Sequence, residues 1–359
     1  MRRALRRLLI ATILTVAYIL TQSQPTHEEL TIHPAWAVVP SAAPLHSDQG
    51  NAVIPFILID EFGYVDDAGR LLYRGTRSHG TTMSAEAFSN YPRVPDPVVI
   101  QDRSGNLSTV LPTQAYPAYL GDRLFAVGTE GTRFSEWSST GERLWVVDLP
   151  TPVTSLAAGD SIAVAGLLAG GIEVIGADGA VIPLVNPGGT QDRVTLSVAA
   201  SGRGTYIGVL SGGARPALSL FRHDGSRVTP LVDLTLDATL PAEPLISFAL
   251  DESTLYFQSA DGVVALNLDD GHESLFPSAM PARAVTAAGG TISALLFSGE
   301  QREPSMGFLY PAEFAIAASG GIVPIRQRFA AEKVTLLADD GLLILAIDNR
   351  LIAFRVETG

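Results

Sequence analysis

No cysteine occurs among the 359 residues. That excludes a disulfide framework, a thiolate zinc site, a cysteine nucleophile and a lipidated N-terminal cysteine. Lysine is almost missing as well: Lys333 is the single copy, and the other strongly basic residues are arginine. Charged residues make up only 17% of the chain against 47% hydrophobic, which is too apolar for a disordered polymer. Basic charge is scarce: Lys+Arg is 24 against Asp+Glu 37, a net of −13. Four of those arginines (Arg2, Arg3, Arg6 and Arg7) sit in the first seven residues, so the remainder is more acidic still. Such a body repels phosphate backbones, and no nucleic-acid partner is expected.

The N-terminus is the exception to this acidity. Its arginines precede a run from Leu8 to Leu20 with no charged residue, followed by Thr21-Gln22-Ser23. A cationic end before a short apolar stretch is the pattern of an export signal. Residues 1–23 are therefore read as a signal peptide or signal anchor. The body is expected to be exported to the periplasmic or extracytoplasmic side, either held at the inner membrane by residues 4–21 or released by cleavage. The expected conformation is one hydrophobic helix. Residues 24–52 read as a proline-rich tether, because Pro25, Pro34, Pro40 and Pro44 interrupt any regular element. His27, His33 and His46 lie there without metal-ligand spacing.

From residue 53 to 359 the pattern is all β and repeats itself. Strand–turn–strand units carry a turn glycine at Gly69, Gly105, Gly141, Gly179, Gly225, Gly271, Gly321 and Gly359, spaced 36, 36, 38, 46, 46, 50 and 38 apart. Tight hairpins need a residue at positive φ, which glycine adopts freely. Between these units sits a second one: a strand of small residues, a glycine or acidic turn, then an apolar strand, as in VTSLAAGDSIAVAG at 153–166. Four-stranded units of about 40 to 45 residues are the signature of a β-propeller, whose innermost strands converge and so favour small side chains.

The expected fold is a single propeller of about seven four-stranded blades, at 76–112, 113–150, 151–190, 191–238, 239–279, 280–329 and 330–359. The last blade would be closed by an N-terminal strand, expected in GRLLYRGT around Leu71–Arg74. Val53–Asp66 holds further strand material, which allows an eighth blade. Glu300–Met306 reads as an insertion in an outer turn of the sixth.

Thr140-Gly141-Glu142-Arg143-Leu144-Trp145 resembles the TGxxxW end of the motif by which a tryptophan ties neighbouring blades in quinoproteins. With the repeat period, it is similar to the PQQ-like and WD40-like propeller superfamily. That superfamily includes quinone dehydrogenases, which would need a vicinal cystine and a stacking tryptophan. The chain has no cysteine, and its tryptophans are Trp36, Trp137 and Trp145. No cofactor is therefore expected, and a non-catalytic member of the superfamily is.

GxSxG, SxxK and sialidase-type boxes are missing too. Asp66-Asp67, Asp269-Asp270 and Asp339-Asp340 fall at turns, where Asp is favoured by local backbone bonds over metal ligation. His79, His223 and His272 are isolated. No catalytic, cofactor or metal residue is assigned, and no enzyme is expected. The expected role is a membrane-tethered scaffold binding an envelope protein partner. A small-ligand or enzymatic propeller using the central funnel, for a saccharide or divalent ion, is the alternative.

Overall fold

The computed structural model describes residues 30–47, 52–183, 194–213, 215–237, 239–287, 293–299, 309–317, 323, 325–339 and 341–358. The N-terminal hydrophobic segment and the Glu300–Met306 insertion lie outside them. The described residues contain strands, turns and irregular backbone, with no helix long and apolar enough to cross a membrane.

The strands form eight antiparallel sheets, one more than the main sequence expectation. Blade 1 is 53–76, blade 2 is 80–111, blade 3 is 115–148 and blade 4 is 153–182. Blades 5, 6 and 7 span 194–235, 246–277 and 282–331. Blade 8 is built from Val334–Asp339, Leu342–Ile347 and Arg350–Thr358, with Leu30–Val38 as its outermost strand.

The closing strand thus comes from the expected tether, not from Leu71–Arg74. Leu30–Val38 pairs antiparallel with Arg350–Thr358. Pro34 is tolerated because this is an edge strand, and the register shifts between Pro34 and Trp36. Leu71–Thr76 is a fourth strand, but of its own blade. Among the described residues blade 1 shows three strands, Val53–Ile57, Glu61–Asp66 and Leu71–Thr76. Its Gly69 turn is in phase with the third-to-fourth turns at Gly105, Gly141 and Gly179, so the innermost strand is the one without a counterpart among the described residues.

Ring closure is visible in the packing. Eight hydrophobic clusters lie among the described residues, and each bridges two successive blades. One joins the ends of the chain: Ile54, Phe56 and Leu71 of blade 1 pack with Leu342, Ile344 and Leu351 of blade 8. Burying these side chains between sheets contributes roughly 1.5–3 kcal/mol each.

A second junction device is built on the turn glycines. A Cβ added at Gly69 would fall within 3.0 Å of Trp36 in blade 8, and at Gly105 within 3.0 Å of Tyr73 in blade 1. Gly141 meets Thr109 of blade 2, and Gly179 meets Trp145 of blade 3. Trp36 also donates from Nε1 to the Asp67 carbonyl at 2.9 Å. Each docking side chain sits on an outermost strand and covers the next blade's turn, and three of the four stand four residues after their own turn glycine. The series stops at blade 4: nothing lies within 4 Å of a Cβ built on Gly225 or Gly271.

At the other face of the blade 8–blade 1 junction, Lys333 Nζ and Arg77 Nη1 each donate to the Leu58 carbonyl at 3.3 Å. Burial, and then the like charge of Arg77, pulls Lys333 down to about 8.

Candidate functional site

Antiparallel order puts the first-to-second and third-to-fourth turns on one face of the ring, and the remaining connections on the other. On the first of these faces, the innermost strands of blades 3 to 6 end around a recess of about 380 Å³. Its walls are Leu120, Ala157–Ala158, Val198–Ala200 and Ile246–Leu250, with Gly121 and Gly202. These residues are small or apolar because they terminate strands that converge on the axis. Ser247 is the one wall residue whose side chain carries a polar group, and Leu250 stands 85% exposed at the lip. Phe248 stacks on Tyr206 with centroids 6.3 Å apart, which fixes its ring.

The turns around this recess are bonded to one another. Arg123 of blade 3 donates from Nη1 to the carbonyls of Gly159 and Ile162 in blade 4, at 2.5 and 2.7 Å. The same guanidinium is clamped by Glu136 through Nε at 2.8 Å and Nη2 at 2.7 Å, while Trp145 Nε1 donates to Glu136 at 2.8 Å. Buried Glu136 is thus satisfied from two sides, the condition under which a buried charge is tolerable. Blade 4 joins blade 5 where Asp160 N–H donates to Gly202 O and Ser161 Oγ donates to Arg203 O, both at 2.7 Å.

Blade 5 joins blade 6 through buried Glu252, which accepts the Arg203 N–H at 2.5 Å and lies 3.5 Å from its Nε. Glu252 has φ 61°, one of two non-glycine residues at positive φ among those described. Its backbone strain is held by the contact it makes across the blade boundary.

Carboxylates gather on the same turns. Asp122, Asp160 and Asp251 are exposed and adjoin the recess residues Gly121, Ala158 and Leu250, and exposed Glu86 stands on the equivalent turn of blade 2. Hydrogen bonds from the Ser253 N–H and hydroxyl hold the Asp251 carboxyl below the usual carboxylate range. Two basic side chains stand among these turns: Arg123, held by Glu136, and Arg203, largely exposed and 3.5 Å from Glu252.

The residues singled out from sequence fall elsewhere. Trp36 and Trp145 are on outermost strands and Trp137 on the third strand of blade 3, all away from the recess. Asp66 accepts the Ala68 and Arg70 N–H groups of its own turn, and Asp270 accepts the His272 N–H. His33 lies in the closing strand, and the His46 N–H bonds Leu71 O. Buried His223 faces the Gly204 carbonyl through Nδ1 at 3.1 Å. Among the described residues no three His, Asp or Glu side chains group as a metal site.

Sequence reasoning did not single out Asp122, Asp160, Asp251 or Glu252. Each stands in the turn after a small-residue strand, and that shared register was the available signal. A second hollow of about 590 Å³ opens on the other face between blades 5 and 6, lined by Arg215, Pro216, Thr235–Asp237, Thr239 and Ala260.

A family model described as beta-propeller protein matches residues 3–359. An uncharacterized protein of Treponema pallidum (strain Nichols) is 22% identical over 73% of this chain and 72% of its own length. Among solved structures, BamB from Moraxella catarrhalis is similar, with TM-score 0.57, 16% identity, and coverage of 90% of this chain and 100% of that one. So is the computationally designed Ika8 protein, with TM-score 0.62, 15% identity, and coverage of 86% and 95%.

Proposed function

The chain belongs to the beta-propeller protein family, matched from residue 3 to residue 359, and on that premise we propose that it is a non-enzymatic scaffold that holds a protein partner at the cell envelope. The observation that carries this reading is the recess between blades 3 and 6. It is apolar, its rim is fixed by bonds across three blade boundaries, and its walls offer no titratable side chain. Such a surface suits binding, whereas catalysis asks for convergent acid, base or nucleophilic groups. Within the family we place the chain beside the quinoprotein-type propellers, on the strength of the Gly141-x-x-x-Trp145 sequence, whose tryptophan docks on Gly179 of the next blade.

The envelope location rests on the sequence. Arg2, Arg3, Arg6 and Arg7 before the Leu8–Leu20 run favour export with the arginines left inside, and residues 4–21 then serve as the anchor or as a cleaved signal. The lack of cysteine makes this directly testable. Leu107 is 65% exposed, so Leu107→Cys adds one reactive thiol to a cysteine-free chain. A membrane-impermeant maleimide is expected to label that variant in intact cells whose outer barrier has been opened. Labelling only after the inner membrane is lysed contradicts the proposal.

A further inference from the structure

The turns that surround the recess carry a charge pattern, and that pattern selects what can enter. Arg123 is fully engaged by Glu136 and two blade 4 carbonyls, and Arg203 is paired with Glu252. Among the described residues, the ion pairs of these turns are those of Arg123 and Arg203, and Asp122, Asp160 and Asp251 take part in none. Ser253 donates two hydrogen bonds to Asp251, which hold its carboxylate in place at the turn. Three exposed carboxylates therefore stand on the turns that carry the recess walls, just outside its lining, and give that face one sign of charge. A cationic group arriving there is drawn by their summed charge, an attraction that salt screens.

From this geometry we infer that the mouth between blades 3 and 6 binds an extended basic segment of a partner protein, which places one apolar side chain in the recess and its arginines or lysines over Asp122, Asp160 and Asp251. The inference rests on the scaffold reading and names the chemistry of its partner.

The competing occupants fit less well. A small polar ligand needs several convergent polar groups, and the side chains lining the walls supply only Ser247. An anionic lipid surface or a nucleic acid meets three carboxylates. A second copy of this chain carries net charge −13 and would be repelled. A basic segment with an apolar anchor matches both halves of the site. The lip residue Leu250, at 85% exposure, gives that anchor a contact it can bury. The cross-blade bonds of Arg123, Ser161 and Arg203 keep the rim in place before binding, which lowers the ordering cost.

The probe is a fluorescein-labelled nine-residue peptide with two arginines on each side of a central phenylalanine, titrated against the full chain in detergent. Two comparison peptides replace the arginines by glutamates or the phenylalanine by alanine. The basic peptide is expected to bind more weakly as salt rises, as surface ion pairs do. Joint Asp122→Asn and Asp160→Asn replacement, in exposed turns, is expected to weaken binding about five- to tenfold and to flatten the salt dependence. Leu250→Ala is expected to weaken it about threefold at every salt concentration. Thermal unfolding of each variant, expected to match the parent, checks that the fold is kept.

Equal binding of the glutamate or alanine peptide, or full affinity in the Asp122/Asp160 variant, overturns the inference. A partner cross-linked to the opposite face, with the basic peptide unbound, refutes this site and leaves the scaffold reading standing. Peptide bound at the mouth of a chain that proves to be cytoplasmic refutes the envelope reading alone.

Discussion

Gly179 and Gly225 occupy the same turn in adjacent blades, at φ 82° and 95°, but their surroundings differ. A Cβ on Gly179 would collide with Trp145, while one on Gly225 meets nothing within 4 Å. Gly225→Ala therefore carries only the cost of a side chain at positive φ, about 1–2 kcal/mol. Gly179→Ala adds the displacement of a packed tryptophan, for a total of about 2–4 kcal/mol. Urea unfolding of the two variants checks the order, and equal losses would show that Trp145 is not docked. The sequence disclosed the glycines, because positive φ restricts the choice of residue. It disclosed Trp145 as a docking residue only because tryptophan stood there. Tyr73 and Thr109 fill the same place with side chains common in any strand. Asp122, Asp160 and Asp251 were hidden for a related reason: aspartate in a turn is expected on local grounds, and their place on one face is a property of the ring.

At the scale of the element, blade 1 and the closing strand explain where sequence reading fell short. The small-residue strand that announces each blade has no counterpart in blade 1 among the described residues, so Val53–Asp66 stood outside the repeat even though it begins an eighth sheet. Leu30–Val38 was obscured by Pro34, which argues against a central strand but not against an edge strand with a register shift. The fourth-strand character of Leu71–Thr76 was legible, whereas its blade could not be assigned without knowing where the ring closes. The remaining blades fell close to their expected bounds, since each is a run of hairpins with a glycine at a fixed place. A chain beginning after Val38 leaves Arg350–Thr358 as an open edge and removes Trp36 from Gly69. Size-exclusion chromatography is expected to show that it associates, and its unfolding midpoint should fall by about 10 °C or more, as the loss of several kcal/mol in a domain of this size implies. A monodisperse truncated chain with an unchanged midpoint would mean that closure lies elsewhere.

At the scale of the whole molecule, the absence of disulfides turns from a deficit into a design: stability rests on eight inter-blade clusters joined in a circle. The circle is not uniform. Glycine docking reinforces the junctions from blade 8 round to blade 4, and polar bonds between turns reinforce those from blade 3 to blade 6. The second arc carries the recess and the neighbouring carboxylates, so the bonded rim and the proposed docking surface coincide. Docking of a partner at this mouth is the proposal on which the rest depends. Its most direct measurement is photo-crosslinking in intact cells, with a photoreactive phenylalanine at Leu250 and, as the comparison, at Arg215 on the opposite face. The account predicts a discrete adduct from Leu250, mapped by mass spectrometry to a basic segment of the partner and suppressed by the arginine–phenylalanine peptide. An adduct from Arg215 with none from Leu250 would contradict it.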